Sequence, residues 1–174
     1  YYYKVAAVSS IGYGAPSTQA IATPNLLAPT WLASSLGATP NNVKFVNPRI
    51  GYVAAQPARI MRTTDGGSTW QSTAISTGAA AMRDIAVYDT NKVWASGNTG
   101  NVVYSGDGGI NFASQPSTGS ARSIFFLDSL NGWVGHTTMQ RTNDGGNTWQ
   151  NATVGIGGIA RGIAFTSMTD GWAT

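Results

Sequence analysis

The sequence predicts an all-β chain made of a repeated antiparallel unit, and three observations carry that expectation. The first is a recurring octet: Thr63-Thr64-Asp65-Gly66-Gly67-Ser68-Thr69-Trp70, Ser105-Gly106-Asp107-Gly108-Gly109-Ile110-Asn111-Phe112 and Thr142-Asn143-Asp144-Gly145-Gly146-Asn147-Thr148-Trp149, with aspartates 42 and 37 residues apart. The second is an aromatic residue ahead of each octet: Tyr52, Trp94, Trp133 and Trp172 recur at 42, 39 and 39. The third is an arginine before an apolar alternation, at Arg83, Arg122 and Arg161, spaced 39 and 39. The three signals keep one order in every unit, and a fixed period of this length marks a repeat architecture. Composition agrees. The 174 residues include 22 Gly, no Cys and 7 acidic residues, all of them Asp. A chain without Glu and poor in Lys lacks the strong helix formers. Its 42% apolar content is too high for disorder.

The elements follow in chain order. At 1–24, Tyr1, Tyr3, Val5, Ala7 and Ser9 alternate as a strand, Gly12, Gly14, Pro16 and Ser17 suggest a turn, and a second strand runs to Ala22. Residues 25–42 read as a linker, opened by Thr23-Pro24-Asn25 and reaching Pro29, with Trp31 as the outer strand of a preceding unit. Residues 43–174 hold the repeats. In the best-formed unit, Arg83 to Tyr88 turns Ile85 and Val87 to one face, as a half-buried strand does. Asp89-Thr90-Asn91 is turn chemistry. Val93 to Ser96 is a second strand, Asn98-Thr99-Gly100-Asn101 a turn, and Val102 to Ser105 a third strand. Asp107-Gly108-Gly109 is a tight turn in which Gly supplies positive φ, and a fourth strand starts at Asn111. Four short antiparallel strands in about 40 residues make one propeller blade. Val43 to Trp70 and Arg122 to Trp149 repeat the pattern, and a fourth unit begins at Arg161. The expectation is therefore a partial β-propeller after a remnant β-sandwich hairpin, a fragment that begins inside one domain and ends inside another.

The octet resembles the Asp-box, or BNR, repeat. Each copy has the Asp, the second Gly and the aromatic: Asp65, Gly67 and Trp70; Asp107, Gly109 and Phe112; Asp144, Gly146 and Trp149. Asn111 departs from the usual Thr. With Asn131-Gly132-Trp133-Val134-Gly135, the units look most like the photosystem II assembly/stability-factor-like propellers. Asp-boxes also occur in sialidases, sortilin-type receptors and xyloglucan-hydrolysing glycosidases. Residues 1–24 are similar to the last strands of a fibronectin type III domain, with Tyr1 at the tyrosine-corner position. The resemblance implies that the boxes are folding devices on the face away from any active site.

The residues point to the same bland role for the aspartates. An Asp in a tight turn accepts hydrogen bonds from its own backbone, and one Asp followed by Gly-Gly lacks the several oxygens of a calcium loop. Without Glu, the Tyr–Glu pair of a sialidase is absent. Asp89, Asp128 and Asp170 are expected in equivalent turns, and Asp84 in a salt bridge or at the surface. His136 is the only His, too little for a metal site or a legible catalytic triad. No cofactor or metal is expected. The 10 basic residues are scattered, which argues against a nucleic-acid footprint. Apolar runs are too short to insert in a membrane.

What remains is binding. Arg83, Arg122 and Arg161 precede the first, channel-lining strand of three successive blades, on the face opposite the boxes, and His136 should project to that face. Asn41 breaks the series in the first blade. An arc of guanidinium forks suits carboxylates and other anions. The expected function is a non-catalytic extracellular or cell-surface module for a protein or carbohydrate ligand, with self-association as a further mode. The alternatives are a fragment of an Asp-box glycoside hydrolase and, from the family resemblance, an assembly factor for a membrane complex.

Overall fold

The computed structural model describes residues 8–9, 12–13, 36–76, 78–98, 102–116, 121–152 and 159–174. The chain divides into Tyr1–Leu32 and Ala33–Thr174. In the first unit, β1 (Val8–Ser9) pairs antiparallel with β2 (Gly12–Tyr13), Val8 opposite Tyr13 and Ser9 opposite Gly12. Gly12 is thus in a strand where the sequence suggested a turn, because the hairpin closes tightly after Ser9. Tyr1, the strand to Ala22 and Trp31 lie outside the described residues.

Among the described residues, the second unit forms three four-stranded antiparallel sheets and one two-stranded sheet. The first sheet is β3 (Thr39–Phe45), β4 (Gly51–Gln56), β5 (Arg59–Thr63) and β6 (Gln71–Ala74). The second is β7 (Met82–Val87), β8 (Val93–Gly97), β9 (Val102–Ser105) and β10 (Ala113–Gln115). The third is β11 (Ser123–Phe126), β12 (Gly132–Gly135), β13 (Met139–Thr142) and β14 (Gln150–Asn151). The last pairs β15 (Ile163–Phe165) with β16 (Gly171–Ala173). In each sheet the strands stand in sequence order, and β3, β7, β11 and β15 pack side by side. A radial set of meandering antiparallel sheets with adjacent first strands is a β-propeller, here a partial one. The first strand begins at Thr39, ahead of Val43, because its pairing with β4 continues past an extra residue at Asn41 as far as Gln56.

The core lies in the seams between blades. Tyr52, Ile60, Met82, Ile85 and Val93 fill the first seam, and Trp94, Ile124, Phe126 and Val134 the second. The second strands are therefore the most buried: every residue of β8 and β12 is buried. Each fully buried large side chain contributes about 1.5–3 kcal/mol through apolar area removed from water. Two of the repeating aromatics stack on the first strand of the next blade: Trp94 on Phe126 at 3.9 Å and 13°, Trp133 on Phe165 at 3.8 Å and 10°.

Candidate ligand-binding face and channel

The arginines share one backbone position. Met82 pairs with Gly97 and Asp84 with Ser96, leaving Arg83 as an extra residue in the first strand. Asn41 is the extra residue between Pro40 and Asn42. Arg122 and Ser123 both face Gly135, and the N–H groups of Arg161 and Gly162 both donate to the Thr174 carbonyl. Asn41 and Arg83 are bulge residues, and a bulge bends the strand and re-aims the side chain it carries; Arg122 and Arg161 stand at the same repeat position, just ahead of β11 and β15. Arg83 and Arg122 are half-buried and Arg161 is exposed. Among the described residues, no carboxylate pairs with any of the three guanidiniums, and the Nε of Arg83 is buried without an acceptor.

The next position around the channel is Asn42, Asp84, Ser123 and Gly162. It joins blades. Ser123 Oγ donates to the Ala160 carbonyl at 3.1 Å, and one residue earlier Asn41 Nδ2 donates to the Met82 carbonyl at 2.7 Å. Asp84 Oδ2 accepts the Ile124 N–H of the neighbouring blade at 2.9 Å, and Oδ1 accepts the Ile85 N–H at 2.8 Å. The surface or salt-bridge role expected for Asp84 is thus corrected: it is a carboxylate set into the channel wall. Burial pushes its pKa up, against the two N–H bonds and the charge of Lys44. A cavity of about 320 Å³ opens there, walled by Asn42, Lys44, Asp84, Phe125 and Arg161. Arg83 and Arg122 do not line it. Lys44 was missed by sequence reasoning; its alternation with Asn42, in register with Asp84 and Ala86, was the available signal.

His136 follows β12 directly. Its carbonyl accepts the Ala160 N–H at 2.8 Å, which places its backbone beside Arg161, and its ring lies 3.4 Å from Thr137 Oγ1. Among the described residues, no three His or Asp side chains gather as metal ligands would, and no helix is long and apolar enough to cross a membrane.

The opposite face carries the Asp-Gly-Gly turns. Each is closed by one aspartate. Asp65 Oδ1 accepts the Thr69 N–H at 2.9 Å and Oδ2 the Thr69 hydroxyl at 2.6 Å. Asp144 does the same with Thr148 at 2.9 and 2.6 Å. In the second copy Asn111 replaces Thr, with its N–H at 2.9 Å and its amide at 2.7 Å from Asp107. The residue two before each Asp donates its hydroxyl to it and accepts the N–H of the second Gly, as Ser105 does at 2.7 and 2.7 Å. Asn47, Asp89 and Asp128 cap the turns after the first strands by accepting two N–H groups each. In the last blade Ser167 Oγ takes that place, at 3.2 and 3.0 Å from the N–H groups of Thr169 and Asp170. Asp170 lies in the equivalent turn, between β15 and β16, but three residues past the capping position, where its carboxylate accepts the Ser167 and Thr169 hydroxyls at 2.7 and 3.1 Å.

No family model matches the chain. It is similar to photosystem II assembly lipoprotein Ycf48 of Synechococcus sp. (strain CC9902), 25% identical over 167 residues that cover 90% of this chain and 50% of that protein. The chain thus spans about half the length of this curated relative. Among solved structures it superposes on YCF48 bound to a D1 peptide with TM-score 0.63 and 24% identity, over 74% of this chain and 44% of that one. YCF48 from Cyanidioschyzon merolae gives 0.58 and 18% over 66% and 39%. An ancestral GH74 enzyme gives 0.59 and 16% over 72% and 20%. These likenesses show the propeller fold. The extracellular or cell-surface setting expected from the sequence is overturned: the likeness runs to a lipoprotein of photosystem II assembly. The low charge and abundance of Gly, Ser, Thr and Asn that suggested it are what many tight turns require in any compartment.

Proposed function

We propose that the chain is a non-catalytic, protein-binding propeller module of the assembly-factor kind, which holds a peptide segment of a membrane-complex subunit on its arginine-bearing face. The observation that carries the reading is the arginine series: Arg83, Arg122 and Arg161 occupy one repeat position in three adjacent blades and have no carboxylate partner among the described residues. Unpaired guanidiniums offer bidentate donors to a partner's carboxylates. The solved relative with a bound D1 peptide supports a peptide as the ligand class. The glycosidase reading has fold likeness alone. Hydrolysis needs two carboxylates, while among the described residues the channel cavity is lined by one, Asp84, with both oxygens already accepting N–H bonds.

The test is titration of the chain with a D1 peptide at low salt, followed by fluorescence anisotropy. The combined Arg83→Gln, Arg122→Gln and Arg161→Gln variant should lose binding while melting as the parent does. Binding by the parent should weaken as ionic strength rises and the Debye length falls below about 10 Å. Full-strength, salt-insensitive binding by the folded variant overturns the reading.

A further inference from the structure

We propose that the Asp-Gly pairs of the three turns, Asp65-Gly66, Asp107-Gly108 and Asp144-Gly145, are latent isoaspartate sites, which the folded blades hold inert and which unfolding opens to a conversion that refolding cannot reverse. The inference concerns the face opposite the arginines and is independent of the function proposed above.

Asp-Gly is the pair in which this chemistry is least hindered, because glycine has no side chain to shield its backbone nitrogen. The Gly nitrogen attacks Cγ of the protonated aspartic acid and forms an N–Cγ bond, and the acid's hydroxyl leaves with the amide proton as water. Water then adds to the main-chain carbonyl of the Asp in the succinimide ring and breaks its bond to the Gly nitrogen. The main chain now runs through Cβ and Cγ, one methylene longer, and the former α-carbonyl is a free carboxylate. The sum is an isomerisation that needs no reagent beyond water.

The fold restrains both reacting groups. Gly66 donates its N–H to the Arg49 carbonyl at 2.8 Å, Gly108 to Asn91 at 2.9 Å and Gly145 to Leu130 at 2.9 Å. A nitrogen tied to a second turn keeps its proton and cannot swing onto Cγ without breaking that bond. In two copies the next carbonyl is tied as well: that of Gly108 accepts the Tyr52 hydroxyl at 3.0 Å, and that of Gly145 accepts Trp94 Nε1 at 2.9 Å and Gln115 Nε2 at 3.0 Å.

The carboxylate oxygens are aimed at the residue four ahead and the hydroxyl two behind, not at the next nitrogen. Around Asp144 these are the Thr148 hydroxyl at 2.6 Å, the Thr148 N–H at 2.9 Å and the Thr142 hydroxyl at 2.7 Å. Thr69 and Thr63 hold Asp65 in the same way, and Asn111 and Ser105 hold Asp107. The bonds favour the ionised form and keep all three carboxyls at about 2, whereas the attack needs the neutral acid. At about pH 6 the neutral fraction is then about one in ten thousand, against about one in a hundred for a carboxyl near 4.

A converted turn no longer fits. Even a Cβ on Gly108 would lie 2.8 Å from the Thr90 carbonyl oxygen, so an added main-chain methylene displaces the Gly108 carbonyl from the Tyr52 hydroxyl.

The experiment ages the whole 174-residue chain at about pH 6, folded in buffer and unfolded in urea. Trypsin then releases the three sites on separate peptides, 63–83, 93–122 and 142–161, each with a single aspartate, and electron-transfer fragmentation distinguishes isoaspartate from aspartate. Conversion at all three sites should be at least about tenfold slower in the folded chain. Thr148→Val keeps the side-chain shape and removes one donor to Asp144, and should speed conversion there severalfold, with Asp65 and Asp107 of the same folded chain as references. Refolding yield should fall in step with isoaspartate content as the urea sample ages. Equal rates in buffer and urea overturn the proposal, and so does an Asp144 rate in the folded Thr148→Val variant that stays level with the other two sites. Full refolding of chains that carry isoaspartate in place of Asp107 or Asp144 also overturns it. Should the variant not fold, the buffer and urea samples of the parent decide.

Discussion

Asp107 accepts N–H bonds from Ile110 at 3.1 Å and Asn111 at 2.9 Å, together with the Ser105 hydroxyl at 2.7 Å. Every one of these donors favours the ionised carboxylate, and the bonds from Asn111 and Ser105 hold its pKa at about 2. Asp65 and Asp144 are held at about 2 chiefly by Thr69 and Thr148. The direction sets a pH dependence. A carboxylate depressed in the folded state stabilises the fold fully above its ordinary value near 4, and that stabilisation is lost as pH falls toward 2. Thermal midpoints should therefore drop between about pH 4 and pH 2, and Asp107→Ala should have a lower midpoint at neutral pH with a shallower acid drop. An unchanged acid limb in that variant contradicts the assignment. Asp84 has the opposite sign: its raised pKa favours the fold at low pH, and that contribution fades as pH rises through the raised value. Asp84→Ala leaves the Ile124 N–H without its acceptor inside the channel wall. It should cost about 1–3 kcal/mol in chemical denaturation, and a cost near zero would show the bond to be dispensable. The turn aspartates were legible in the sequence because their partners lie within four residues. Asp84 was not, since its partner Ile124 is 40 residues away.

At the scale of elements, the seam explains why each blade keeps an aromatic in its second strand. Trp94 stacks on Phe126 and donates to Gly145. Trp94→Phe should lose only the hydrogen bond, about 1 kcal/mol, whereas Trp94→Ala also opens a cavity and should cost about 3–5 kcal/mol. Equal losses would mean that the indole N–H carries the seam alone. Two glycines separate strain from fit. Gly37 has φ 59° with open space around it, while Gly108 has φ 74° with a backbone oxygen 2.8 Å from a new Cβ. Gly37→Ala should cost about 1 kcal/mol from the left-handed conformation, and Gly108→Ala distinctly more, with urea midpoints as the measure. Strand count, strand order and the tight turns were legible, because apolar alternation and Asp-Gly-Gly chemistry are local. The capping group of the turn between β15 and β16 was not legible: residue type draws the eye to Asp170, and only the hydrogen bonds show the Ser167 hydroxyl at the position that Asp89 and Asp128 hold.

Among the described residues of 33–174, the strongest contacts between strands run within a blade or between adjacent blades, so stability is distributed along the array rather than held in one centre. Second strands β4, β8 and β12 are buried between neighbours, whereas β6, β10 and β14 are largely exposed. Amide exchange should be slowest in the former and fastest in the latter, and uniform protection across the blades would contradict a core that lies in the seams. The sequence by itself determined the all-β class, the four-strand unit, the equivalence of Arg83, Arg122 and Arg161, and the structural chemistry of the turns. Those follow from periodicity and from contacts within a few residues. Only the tertiary structure decided that Arg83 is a bulge residue and that Lys44 and Asp84 share the channel wall with Arg161. The physical reason is distance along the chain: these groups meet across blades about forty residues apart, and a repeat period reports which positions are equivalent without reporting what fills the space between them.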